Sequence, residues 1–493
     1  MFSFLLSLVA LVLGYWLYGR FVESVFRPEA LRVTPAVAHP DGVDFIALPS
    51  WKVFMIQFLN IAGTGPIFGA IMGAKFGPSA YLWIVLGCIF AGSVHDYMVG
   101  MLSLRHDGAG LPDLVGKYLG RSIWRAMLAF SLFLLLMVGV VFVYSPALIL
   151  GGMCSNTTVW VLAIFAYYVL ATMLPIDKII GRIYPLFAGS LLFMAAALMI
   201  VLLLKWPSLP ELWDGLGNRA PQVDPSWTDN IFPCLFITIA CGALSGFHAT
   251  QSPLMARCLT NERQGRPIFY GAMITEGIVA LVWATVAMYF FYDSPAPGYE
   301  AICGAGNKGF ATAAPAVVQL VCTDWLGWLG GLLAILGVVA APITSGDTAF
   351  RSARLLIADA VKLPQQKIRN RLIVCLPMFA ASIALLLWQV DNPSGFNIIW
   401  QYFGWANQTL AVFALWTATA YLVRRHTAYW FTLLPALFMT DVCCTYFFVS
   451  HQMLGLPATA GYTAGGLCTL AAGIAFLWAR RKWMQEGIDF DRK

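Results

Sequence analysis

The sequence predicts an all-α membrane protein of about thirteen transmembrane spans, ten of them forming two five-helix repeats of opposite orientation. Three observations predict it: too little charge to face water, apolar runs recurring along the whole chain, and two spans interrupted at matching places. Hydrophobic residues make up 60% of the 493 positions and charged residues 11%, whereas soluble domains carry roughly 25% charged residues. Such a surface needs lipid as its solvent. A spanning helix takes about 20 apolar residues, and the recurring runs leave no room for a large soluble domain. The formal charge of +6 does not point to nucleic acid. Lys and Arg lie between the apolar runs, as topology signals do.

Taken in order, the runs lie near residues 2–22, 53–74, 78–104, 122–149, 157–174, 183–204, 231–258, 268–292, 326–357, 372–389, 396–423, 430–450 and 459–479. Met1-Phe2-Ser3-Phe4 lacks the basic start of a signal peptide, so the first run reads as an uncleaved span. A short external helix over 310–322 precedes the ninth span. With the N-terminus outside and the spans alternating, the 30 Lys and Arg residues fall in inside loops, all but Lys75, Lys205, Arg219 and Lys308. One span missed or added would invert every later loop and spoil this division, so the positive-inside rule supports N-out and C-in. Trp206, Trp213 and Trp227 flank an external loop and fit an interfacial belt. The 11 cysteines show no zinc spacing. Cys303 and Cys322 share an external loop, either paired or as two thiols.

Two spans are broken. The second contains Ala62-Gly63-Thr64-Gly65-Pro66 and the seventh Ala240-Cys241-Gly242-Ala243-Leu244-Ser245-Gly246-Phe247-His248. Proline removes a helix donor and glycine weakens helix. Unwound backbone at membrane depth must line a cavity or be buried in protein. Paired interruptions in two halves are the sequence mark of a transporter's binding site. Each broken span opens a five-span unit, 53–204 and 231–423. Five is odd, so the units are inverted, as in the LeuT type, with one extra span before (1–52) and two after (424–493), and the loop 205–230 between them. Glycine-rich stretches also serve plain helix packing, and that reading stands beside the first.

At these residues the sequence resembles the carbon starvation protein A family. The matching stretches are RVTPAVAHPDGVDF (32–45), IAGTGPIFGAIMGAKFG (61–77), AGSVHDYMVGMLSLRHDG (91–108), LFITIACGALSGFHA (235–249), TSGDTAFRSAR (344–354) and WQYFGWANQTLA (400–411). The resemblance implies a transporter of the amino acid–polyamine–cation superfamily in the bacterial inner membrane, taking up peptides or, with protons, pyruvate under carbon starvation. The chain departs from larger members by a curtailed segment between the fifth and sixth repeat spans and a smaller C-terminal part.

Ionisable groups inside spans are costly and mark function by default. His95-Asp96 reads either as an ion pair with Arg105 at the inner mouth or as a proton-release step. An apolar setting favours a neutral carboxyl, which makes Glu276 a proton carrier or else a bracing group. Asp347 lies four residues before Arg351, either paired with it or relaying protons. Asp441 falls outside the repeats and reads as structural. His248 follows the second break, as a contact for a substrate carboxylate or a buried hydrogen-bonded imidazole.

Backbone at Gly63, Thr64, Gly65, Gly242, Ser245 and Gly246 is expected to form the substrate site, with Asn407 and Gln408 behind it. Half-helix N-termini there suit a carboxylate. In LeuT-type transporters an adjacent Thr-Ser pair holds sodium. Here Thr344 and Ser345, with carbonyls of Ala341, Gly63 and Pro66, are the expected oxygen set, while both hydroxyls are also able to bond back to their own helix. The coupling ion is therefore H+ or Na+, and no other cofactor is expected. No HExxH, GxSxG or P-loop appears, and the 6 histidines offer no haem pair, which disfavours a membrane enzyme. A transporter-like starvation sensor is the alternative function. A reporter fused after Lys493 is expected in the cytoplasm, and Asn218 is expected to be labelled from outside. A periplasmic C-terminus contradicts both the span count and the inverted repeat.

Overall fold

The computed structural model describes residues 1–41, 45–154, 156–173, 180–219, 230–292, 310–363, 365, 367–392 and 395–486. Among the described residues every regular element is a helix. In chain order the main ones are α1 (Phe2–Phe26), α2 (Ser50–Ile61), α3 (Gly65–Phe76), α4 (Ser79–Arg105), α5 (Leu111–Tyr118), α6 (Arg121–Gly152), α7 (Thr157–Met173) and α8 (Tyr184–Lys205). There follow α9 (Ile231–Thr238), α10 (His248–Ala256), α11 (Glu262–Tyr292), α12 (Phe310–Ala360), α13 (Ile368–Asp391), α14 (Gly395–Arg424), α15 (Trp430–Val449) and α16 (Ala458–Glu486).

Helices lie along all the apolar runs, but among the described residues 9 are long and apolar enough to cross a membrane, or up to 10 when α2 and α3 are joined. The difference from thirteen has physical causes. The α7 helix is short. The 30-residue α14 carries Asn397, Gln401, Asn407 and Gln408 among its apolar residues, and the seventh run is divided into the short α9 and α10. Trp227, Cys303 and much of the loop 205–230 lie outside the described residues. The bend expected near residue 322 falls at Gly327 inside α12, where φ of +65° suits glycine.

Burial sorts the helices into layers. The most apolar window is 83% buried in α4 and α11, against 33% in α1 and 17% in α16. The first pair is therefore core, and the others present apolar side chains outward, as a lipid-facing surface requires. Around the core, α10 packs on α4, α3 on α11, and α6 along α12, while α15 and α16 form an outer pair. Asp441 joins that pair by accepting hydroxyls from Thr445 and Thr469 at 3.3 and 3.2 Å, the structural role expected of it.

Both interrupted spans are broken. The α2 and α3 axes bend by 56° across Ala62–Thr64. Between α9 and α10 the chain leaves helical conformation over residues 239–247, with Gly242 at φ +91°.

At one end of the bundle, basic residues from several helices converge. Arg105 forks onto Glu262, Nε to Oε1 and Nη2 to Oε2, both at 3.1 Å, and its Nη1 donates to Tyr421 at 3.1 Å. Arg266 pairs with Glu23 at 2.8 Å and Arg425 donates to the Phe26 carbonyl. Arg105 at this end pairs with Glu262, and Asp96 pairs elsewhere, with His95 and His248. A bidentate carboxylate satisfies the guanidinium fork better than a lone contact.

Gly246 turns out to be a packing residue. A Cβ added there would lie 2.2 Å from the Asn407 carbonyl oxygen and 2.5 Å from the Ala411 nitrogen, both backbone. The expectation that this glycine leaves room for substrate is replaced by close approach of the break to α14. Gly65 is as tight, because its added Cβ would lie 2.3 Å from the Cys241 Cβ, an atom that moves only with its backbone. Gly246→Ala and Gly65→Ala are therefore each expected to destabilise the protein by about 1–3 kcal/mol through overpacking. Thermal unfolding of both variants in detergent checks this; equal stability of Gly246→Ala and the wild type contradicts it.

Candidate functional site

The core brings together ionisable residues from three helices. In α4 a π-turn over Cys88–Gly92 precedes His95 and Asp96; such turns re-aim the residues that follow and recur at functional sites. His95 Nδ1 lies 2.8 Å from Asp96 Oδ1, and His248 Nδ1, from the first residue of α10, lies 2.9 Å from Asp96 Oδ2. On the far side of that ring, His248 Nε2 lies 3.4 Å from Glu276 Oε2 of α11. His95, Asp96, His248 and Glu276 are all buried.

A carboxylate only accepts hydrogen bonds, so both imidazoles donate to Asp96 through Nδ1–H. That assigns the tautomer from the network. It turns His248 Nε2 toward Glu276, 3.4 Å away, with no hydrogen bond formed between them.

The two breaks differ. At the second, Asn407 of α14 fills the opening. Its carbonyl oxygen accepts Gly246 N–H at 3.1 Å, and its Oδ1 accepts Phe247 N–H at 2.7 Å and the Ser245 hydroxyl at 3.1 Å. The leading donors of α10 are thus used internally. Gln408 points elsewhere, donating to the Phe236 carbonyl in α9. At the first break, Thr64 is buried and its hydroxyl and backbone N–H take no partner among the described residues. The Phe142 ring closes over this break, its tip 2.7 Å from where a Gly63 Cβ would stand, and meets Phe247 and Phe403 edge-on.

The expected sodium set is assembled only in part. Ser345 donates to the carbonyls of Leu59 and Asn60, at 3.2 and 3.1 Å, in the last turn of α2. Gly63 is adjacent, its added Cβ 3.4 Å from Ser345 Oγ. Pro66 packs against Gly242 instead. Thr344 bonds back to Ala341 O at 2.9 Å, within its own helix. Asp347 stands apart from the Asp96 group. It lies 3.8 Å from Arg351, and the Tyr184 hydroxyl donates to it at 3.5 Å.

Sequence reasoning missed Cys241, whose sulfur lies within 4.8 Å of ligand atoms of His248 and Glu276. It also missed Leu59 and Asn60, whose carbonyls leave no trace in residue type.

A cavity of about 350 Å³ lies between α5, α6, α10 and α12, lined in part by Asp113, Ser131, Thr250, Arg257 and Ser352. Its α10 wall begins just beyond His248 and runs toward Arg257.

The family model for carbon starvation protein CstA matches residues 1–150, 145–323 and 298–446. The chain belongs to the CstA family. The peptide transporter CstA of Escherichia coli is 26% identical, over 89% of this chain and 79% of its own length. The pyruvate/proton symporter BtsT of the same organism is 25% identical, over 89% and 80%. A Haemophilus influenzae membrane protein is 47% identical, over 61% and 94%. Among solved structures, the Eremococcus coleocola manganese transporter superposes with a TM-score of 0.58 at 11% identity, covering 91% of this chain and 99% of that one. A sodium-coupled sialic acid symporter gives 0.52 at 13%, covering 96% of each. Those likenesses show that this CstA member has the fold of LeuT-like transporters.

Proposed function

We propose that this CstA member is a secondary transporter that imports a small carboxylate, pyruvate or a short peptide, by proton-coupled symport across the bacterial inner membrane. The observation that carries the reading is the buried Asp96–His248–Glu276 chain set beside both helix breaks. The names of the two Escherichia coli relatives supply the substrate classes. In this reading the chain crosses the membrane thirteen times, N-terminus outside and C-terminus inside, with two inverted five-helix repeats. The Arg105 end of the bundle faces the cytoplasm, in keeping with the inside bias of basic residues.

Thr64, with its free amide and hydroxyl at the start of α3, receives the substrate carboxylate, where the helix dipole is positive. The second break serves as the rigid wall, since Asn407 already occupies its donors. A proton taken up at the His248–Glu276 contact travels with the substrate, and the cavity past Thr250 and Arg257 is the path toward the cytoplasm. Alternating access around breaks near the midplane is the usual working of such repeats.

A sodium-coupled reading has one observation in its favour, the Ser345 hydroxyl meeting two α2 carbonyls. Sodium needs several oxygen ligands of fixed spacing, and here Thr344 is turned into its own helix. Uptake into proteoliposomes at constant pH, with and without sodium, separates the two. Proton coupling predicts uptake that follows the pH gradient without sodium. It also predicts that Glu276→Gln loses gradient-driven accumulation while retaining substrate counterflow, which needs no net proton movement. Sodium-dependent uptake that Thr344→Val/Ser345→Ala abolishes overturns the proton reading. Absence of uptake and counterflow for pyruvate and dipeptides alike overturns the substrate class.

A further inference from the structure

The second break places three unlike ligand groups around one point. Cys241 lies in the unwound segment, His248 opens α10 and Glu276 stands on α11. All three are buried, with one ligand atom from each within 4.8 Å of the others. We propose that these residues form a binding site for a divalent cation of the zinc class.

Three features of the surroundings argue for a ligand rather than a chance cluster. First, His248 Nε2 and both oxygens of Glu276 take no hydrogen bond among the described residues, although all are buried. Buried polar atoms without partners are uncommon, and these lie on the side of the cluster that Cys241 also borders. Second, the His248 ring is oriented as metal-bound imidazoles are. Its other nitrogen meets the Asp96 carboxylate at 2.9 Å, which fixes the tautomer and turns the Nε2 lone pair to the cluster. Third, the sulfur is supported. Cys241 Sγ donates to the Ser245 hydroxyl at 3.4 Å and accepts the Asn407 side-chain amide at 3.5 Å, which holds it in place, and a metal bound there would displace the thiol proton to solvent.

The donor set selects the class of ion. One sulfur, one imidazole nitrogen and one carboxylate oxygen suit zinc or cobalt, whereas magnesium and calcium take oxygen alone. Zinc bonds of about 2.0–2.3 Å to such atoms put ligands of a tetrahedron within about 3.3–3.8 Å of one another. His248 and Glu276 already meet that spacing at 3.4 Å, and all three ligand atoms lie within 4.8 Å of one another. Three protein ligands leave the fourth position open to water, the form of exchangeable rather than purely structural sites.

Occupancy would exclude a proton from the His248–Glu276 contact and pin the second break to α11. Slowed transport is the expected consequence, and that consequence alone rests on the function proposed above; binding stands or falls separately.

The test uses the full-length protein purified in detergent, stripped of metal and titrated with Co2+ and then Zn2+. The wild type is expected to bind about one Co2+ per chain with a thiolate-to-metal charge-transfer band that Zn2+ removes. Cys241→Ser is expected to lose the band and Cys375→Ser, in α13, to keep it. Asp96→Asn is expected to weaken binding by about 10–100-fold, and Glu276→Gln by tenfold or more. Should Cys241→Ser fail to fold, the Glu276→Gln and Asp96→Asn titrations decide. A wild type without the band, a band unchanged in Cys241→Ser, or unchanged affinity in both carboxylate variants overturns the site. A protein that binds cobalt as expected yet takes up neither pyruvate nor dipeptides overturns the transport reading and leaves the metal site in place.

Discussion

The Asp96 carboxylate, held between two imidazoles in the core, is the interaction on which the rest of the molecule depends. It joins His95 of its own helix to His248 at the head of α10, and through His248 to Glu276 on α11. No water-facing surface supports these groups, since all four are buried. An ionisable side chain at membrane depth is tolerated only with partners. Asp96 satisfies two rings at once, and α4, α10 and α11 are therefore held in one register. A single carboxylate thus fixes where the second break can sit and which way His248 faces.

The breaks bring a second constraint. Unwound backbone in an apolar interior leaves donors that must be met. At the second break Asn407 meets them with its side-chain and backbone oxygens, which is why Gly246 must be bare enough for α14 to approach. At the first break Thr64 is left open. Two segments that look alike in sequence thus differ in structure, one with its donors met by Asn407 and one with the Thr64 hydroxyl unpartnered among the described residues. Far from both, the Arg105–Glu262 fork ties the end of α4 to the start of α11. The two core helices are consequently held at the Asp96 group and again at that end.

Much of this was legible in the sequence. Hydropathy alone located the helices, because a lipid-solvated chain has to satisfy its backbone within each segment. Gly and Pro marked both breaks, and intramembrane His95, Asp96, His248 and Glu276 stood out by the cost of placing them there. What sequence did not carry was which of them meet. His95-Asp96 was open to pairing with Arg105 in the same helix, yet Asp96 is matched to His248, more than 150 positions away. Partner choice across helices depends on rotation and depth, which a one-dimensional pattern does not encode. For the same reason the α2 carbonyls opposite Ser345 were assigned to Gly63 and Pro66 rather than Leu59 and Asn60. Backbone oxygens are alike in every residue, so residue type does not tell which of them face α12. Gly246 was read as space for a ligand because a glycine admits close approach without saying of what.

The central claim, that Asp96 and His248 act as one unit joining α4 to α10, is tested most directly by a double-mutant cycle on stability. Asp96→Asn, His248→Gln and the double variant would be compared by reversible denaturation in mixed detergent. Residues in one hydrogen-bonded network show interaction energies of about 0.5–3 kcal/mol, and the buried pair is expected at the upper part of that range, the second substitution costing little once the first is made. Costs that simply add, within about 0.3–0.5 kcal/mol, would mean that the two residues do not interact in the folded protein and would contradict the account.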